Sequence, residues 1–115
     1  MAQYLVLIYD DEAALAAARD DDFGQLLAGH QKFMGDHDSA LRGGNALAPT
    51  ATATSIRPDG AGSFTVTDAP FAETKEALGG YYLIEAADLD EAVAIAQQVP
   101  MFAGGVEVRP VRTFD

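Results

Sequence analysis

Apolar residues fall on both alternating faces of the segment 3–9, with Tyr4, Val6 and Ile8 on one and Leu5, Leu7 and Tyr9 on the other. A strand of that kind needs cover on both sides, which predicts a central position in a sheet. Asp10, Asp11 and Glu12 then place negative charge where a helix begins, and a short helix is expected over Ala13 to Arg19. From Phe23 the apolar period changes to three and four: Phe23, Leu26, Leu27, His30, Phe33, Met34, His37 and Leu41 share one stripe. That stripe predicts an amphipathic helix of about four turns, stopped near Gly43-Gly44.

Ala51 to Arg57 and Ser63 to Asp68 read as two strands joined by the turn Pro58-Asp59-Gly60-Ala61-Gly62, an antiparallel hairpin. Ala72 to Leu78 reads as a polar loop or a single helical turn ended by Gly79-Gly80, and Tyr81 to Ala86 as a second strand apolar on both faces. Asp88-Leu89-Asp90-Glu91 fits a capping box ahead of a helix that ends before Pro100, and Val106 to Val111 closes the chain as an alternating strand.

This order predicts one α+β domain over residues 1–115, with two main helices on one face of a four- or five-stranded antiparallel sheet. The other face is left bare. Tyr4 or Leu5, Tyr81 or Tyr82 and the hairpin are expected to expose more apolar surface there than a soluble monomer tolerates. Covering ~600 Å² at ~25 cal/mol per Å² is worth on the order of 15 kcal/mol, against association costs of roughly 4 to 15. A homodimer joined through the sheet face is therefore expected.

Composition narrows the partners. Seven basic and eighteen acidic residues give a net charge of −11, which repels phosphate backbones and argues against nucleic acid. There is no cysteine, so disulfides and thiolate sites are absent. The first strand lacks the basic start of a signal peptide and no window is long enough for a membrane helix, so a cytoplasmic protein without a membrane partner is expected.

Candidate chemistry is sparse. His30 and His37 lie two turns apart, ~10.5 Å along a helix, too far to share a metal ion, and no metal site is expected. His30 is either a hydrogen-bonded core or interface histidine or a general acid–base with a pKa near neutrality. His37 reads as a solvated helix end. Asp68 is either the carboxylate of an Asx turn or a catalytic or ligand-binding group. Glu73, Lys75 and Glu76 form either a charged surface loop or a pocket rim. Arg109 either pairs with the neighbours of Glu107 across the sheet or with Asp68, or serves as an anion contact, and Tyr81 and Tyr82 point to opposite faces, one to the core and one to the interface. No nucleophile elbow, phosphate loop or zinc signature occurs, and no cofactor is expected.

The run Asp68-Ala69-Pro70-Phe71-Ala72-Glu73-Thr74-Lys75-Glu76, followed by Gly79-Gly80-Tyr81-Tyr82-Leu83-Ile84-Glu85, resembles the YCII-related family, in particular its DGPF-motif branch. The likeness runs on through Leu89 to Ala92, Pro100 and Val106 to Val111, and back to the opening strand. It implies a ferredoxin-like fold of the dimeric α/β barrel superfamily and an association with extracytoplasmic-function sigma factors. Two departures stand out. Ala69 replaces the motif glycine, so either the backbone angle there is ordinary or the turn has changed. Enzyme-like members pair a histidine on the first long helix with an aspartate before the proline that follows the last helix; His30 matches the first, but Val99 occupies the second position.

Two functions follow from these residues and from what the resemblance implies. One is a small homodimer that binds a small organic ligand or acts in a sigma-factor-linked context, with Glu73, Lys75, Tyr82 and Arg109 as ligand contacts. The other is a cofactor-free isomerase, lyase or dehalogenase-like enzyme in which His30 transfers a proton with Asp68 or Glu73 as partner.

Overall fold

A computed structural model describes residues 1–114. Its strands and helices are β1 (Ala2–Asp11), α1 (Glu12–Ala16), α2 (Asp20–Asp36), β2 (Leu41–Ala46), β3 (Ser55–Pro58), β4 (Phe64–Thr67), β5 (Glu76–Ala86), α3 (Leu89–Ala96) and β6 (Gly105–Pro110), with a 3-10 turn at Thr50–Thr52. Four strands form one antiparallel sheet in the order β2-β5-β1-β6, the arrangement of a ferredoxin-like α+β fold. The expected fold class is the observed one.

Register sorts the side chains of this sheet. Val6 lies opposite Tyr82 and Val108, and Tyr4 opposite Ile84, on the face that α2 and α3 cover. There Phe33 of α2 and Ala92, Ile95 and Ala96 of α3 close the core with Val99. Leu5 opposite Leu83, and Leu7 opposite Tyr81, occupy the second face, where no helix lies and all four are half-buried. Polar groups rim them. The Arg42 guanidinium donates to Glu85 at 3.0 Å, and Asn45 Nδ2 donates to the Tyr81 hydroxyl at 3.0 Å.

The caps follow the sequence. Asp11 Oδ1 accepts from the Ala14 amide at 3.1 Å ahead of α1. Asp88 Oδ1 accepts from the Glu91 amide at 2.9 Å ahead of α3, and Glu91 Oε1 reaches back to the Ala87 amide at 3.2 Å.

Four expectations are corrected. The long helix ends at Asp36, and Gly43-Gly44 lies inside strand β2 instead of closing a helix. A Cβ on Gly44 would stand 2.7 Å from Tyr82 Cδ1, so the glycine lets β2 pass the Tyr82 ring. Gly79-Gly80 does not end a loop either: β5 starts at Glu76 and runs through both, with a register shift opposite Ile8 and Tyr9 that absorbs one residue. The hairpin is real, but β3 and β4 pair only with each other and form a sheet of their own. They do not extend the bare face. The stripe on α2 is also only partly covered: Phe33 is buried, whereas Phe23, Leu27 and Met34 stay exposed.

Residues 47–75 thus make an arm outside the four-stranded body. The Cα radius of gyration, 16.4 Å, exceeds the ~13 Å of a compact chain of this length, and one axis spans only 17 Å. Two layers and a projecting arm account for both values.

Candidate functional site

The arm is tied down at its root. Glu12, at the start of α1, accepts from the Thr50 amide at 2.9 Å through Oε1 and from the Thr50 hydroxyl at 2.7 Å through Oε2. The Leu47 amide donates to the Gly79 carbonyl at 2.9 Å, and the Ser55 hydroxyl donates to the Ala69 carbonyl. These bonds fold the 68–74 segment back beside Thr50. Between them lies a cavity of about 360 Å³, lined by Thr50, Ala51, Asp68, Ala69, Pro70, Ala72, Glu73 and Thr74.

Asp68 and Glu73 therefore meet at one cavity. Neither carboxylate accepts a hydrogen bond within the described residues, so both are free for a ligand. The Asx-type turn belongs to Asp59, whose Oδ1 accepts from Ala61 at 2.8 Å and Ser63 at 3.1 Å. Ala69 has no positive φ, so the backbone angle at the motif position is ordinary for an L-residue. Lys75 stands just beyond the cavity, largely exposed, with Nζ 4.0 Å from Asp11 Oδ2.

His30 is not part of that lining. Its Nδ1 shares a hydrogen bond of 2.7 Å with the Tyr82 hydroxyl, across the core between α2 and β5. Burial pushes the imidazole below its ordinary pKa and the Tyr82 phenol above its own, so both are neutral near pH 7. With the imidazole proton on Nδ1 and donated to the phenol oxygen, Nε2 carries a free lone pair; the other tautomer makes the phenol the donor and Nε2 a donor. Phe33 packs on Tyr82 at 4.8 Å between centroids. Tyr82, expected as a ligand contact, is thus first of all a core residue, and its neighbour Tyr81 lies on the open face.

His37 is more than a solvated helix end. Its Nε2 donates to Gln98 Oε1 at 2.7 Å, joining the end of α2 to the segment after α3, and its ring lies 4.9 Å from that of Phe33. Arg109 is exposed on β6 opposite Leu5 and takes part in no ion pair among the described residues. Among those residues no three His, Asp or Glu side chains gather as a metal cage. An apolar groove of about 560 Å³ runs between α3 and β6, lined by Leu89, Val93, Ala96, Gln97, Met101, Val106 and Val108. It offers shape but no titratable group. No helix is long and apolar enough to cross a membrane.

One close approach seats α2 on the segment after α3. A Cβ on Gly29 would come within 2.9 Å of Pro100 Cγ, so α2 rests directly on the 99–100 segment. The side chain that precedes Pro100 there is Val99, buried in the core. Sequence comparison accounts for this architecture: the YCII-related domain matches residues 2–115. The chain belongs to the YCII-related family. An uncharacterized protein of Rhizobium meliloti (strain 1021) is 38% identical over 119 residues, a match covering 96% of this chain and 93% of that protein. In this YCII-related chain the helix histidine has a phenol partner from β5.

The meeting of Asp68 with Glu73 follows from their closeness in sequence, and the loop reading anticipated it. Thr50 was missed, because only the Glu12 anchor brings it to the cavity. The His30–Tyr82 bond was also missed, since no spacing rule connects residues 52 positions apart.

Proposed function

We propose that the chain acts as a homodimer, joined through the open face of its four-stranded sheet, that binds a small organic molecule in the cavity at the root of the arm. The observation that carries this reading is the 360 Å³ cavity itself, in which Asp68 and Glu73 stand with Thr50, Thr74 and the apolar Pro70. Its volume falls in the range of small-molecule sites. Two unpaired carboxylates favour a ligand that offers positive charge or several hydrogen-bond donors, such as an amine. The absence of His30 from the lining favours a binder over a catalyst here.

Thermal unfolding measured against a panel of small amines, polyols and organic acids tests the reading. An amine is expected to raise Tm in a saturable way, and the double variant Asp68→Asn, Glu73→Gln to lose at least tenfold in affinity. A panel without any saturable shift rejects the site. Light scattering tests the assembly: twice 12.1 kDa is expected at micromolar concentration, and a mass near 12.1 kDa rejects it. A sigma-factor partner, implied by the DGPF-branch likeness, predicts co-purification at micromolar concentration, and failure to associate removes that partner.

The His30–Tyr82 bond favours a second reading, a cofactor-free proton-transfer enzyme with His30 as base. Its test is turnover of any compound that saturates the protein, which His30→Ala is to abolish while leaving the compound's binding intact. Unchanged turnover in His30→Ala rejects the role.

A further inference from the structure

The β3–β4 ribbon separates its side chains completely. Register pairs Ile56 with Val66 and Pro58 with Phe64 on one face, and Ser55 with Thr67 and Arg57 with Thr65 on the other. The chain braces the polar face: Ser55 holds the Ala69 carbonyl, and the Arg57 guanidinium lies 4.2 Å from the centroid of the Phe71 ring. The apolar face is turned away, with Ile56 56%, Phe64 65% and Val66 62% exposed. That is the reverse of what a folded chain does with such a ribbon when it has only itself to pack against. Two strands of four residues are not stable alone in water without cover on their apolar face.

We infer that the Ile56–Phe64–Val66 face of the arm docks on a second copy of this chain. The inference rests on the homodimer proposed above and adds to it a second contact surface. Two observations choose a like copy over another partner. The arm springs from the adjoining ends of β2 and β5, so it continues the edge of the sheet whose open face carries Leu5, Leu7, Tyr81 and Leu83. A stable interface needs ~800 Å² from each partner, more than those four half-buried side chains supply; Ile56, Phe64 and Val66, all more than half exposed, present on the order of 300 Å² more. A two-fold axis then uses the contact twice.

The cysteine-free chain allows a direct test. Val66→Cys carrying a benzophenone photocrosslinker is expected to give a covalent dimer, and Thr65→Cys with the same label, from the polar face, far less. Analytical ultracentrifugation of Val66→Glu is expected to show dimer dissociation strengthened at least tenfold, with Thr65→Glu within twofold of wild type. Crosslinks confined to one chain, or a Val66→Glu dimer as tight as wild type, overturn the inference. The homodimer reading survives that outcome if Leu83→Glu, on the sheet face, breaks the dimer. A wild-type chain that sediments as a monomer overturns both.

Discussion

The ladder of β1 with β5 and the ribbon of β3 with β4 are built from the same alternating code. In the ladder, alternation puts Val6 and Ile84 at 0% exposure under two helices; in the ribbon it leaves Phe64 at 65% with nothing of the same chain above it. The difference lies in connectivity. β1 is followed by α1 and α2 and β5 by α3, and these crossovers return a helical layer to the same face of the sheet. β3 is joined to β4 by a tight turn around Asp59, with Gly60 and Gly62 at positive φ, and a tight turn returns no layer. Alternation therefore fixes which residues share a face, while topology decides what covers it.

The sharpest way to break the contrast is to cut the same kind of side chain from both regions. Ile84→Ala is expected to cost about 2–5 kcal/mol in urea unfolding, since it opens a cavity under α2 and α3. Phe64→Ala, measured at a concentration where the chain is monomeric, is expected to cost less than about 0.5 kcal/mol. Comparable losses would mean that the arm is covered within its own chain. Next in size is Gly44→Ala, whose Cβ would push against the Tyr82 ring and the Tyr81 carbonyl. About 1–3 kcal/mol is expected from that overpacking, together with loss of the His30–Tyr82 bond in NMR spectra of the imidazole. Tyr82→Phe removes one buried hydroxyl, and about 1 kcal/mol is expected.

The smallest effect is a pH dependence confined to the body. His30 has its folded-state pKa depressed by burial, so the unfolded chain takes up the proton first. Stability is expected to be full above the unfolded value of ~6.5 and to decline as pH falls toward the folded value, then to level off. His30→Gln should flatten that decline in denaturant titrations at a series of pH values, and an unchanged slope would assign it to other groups.

These contrasts also explain what the sequence made legible. β1, α3, β6 and the hairpin carry their signals locally, in alternation, capping carboxylates and turn residues. β2 carries none: Leu41-Arg42-Gly43-Gly44-Asn45-Ala46 lacks both alternation and branched side chains, and becomes a strand only because β5 offers an edge and Tyr82 needs a residue without Cβ beside it. The first turns of β5 were hidden likewise by Gly79-Gly80, which reads as a break but serves a bulge. At the candidate site, Asp68 and Glu73 were legible as one loop. The anchor from Glu12 to Thr50 spans 38 positions and leaves no trace in spacing.

The placement of β1 at the centre of the sheet has a consequence for synthesis on the ribosome. Its two hydrogen-bonded neighbours are β5, beginning at Glu76, and β6, beginning at Gly105. The chain must emerge as far as Glu76 before β1 has anything to pair with, and as far as Gly105 before its second neighbour arrives. The nascent chain therefore carries a greasy, unpaired strand until β5 arrives, and the four-stranded sheet forms only from segments distant in sequence.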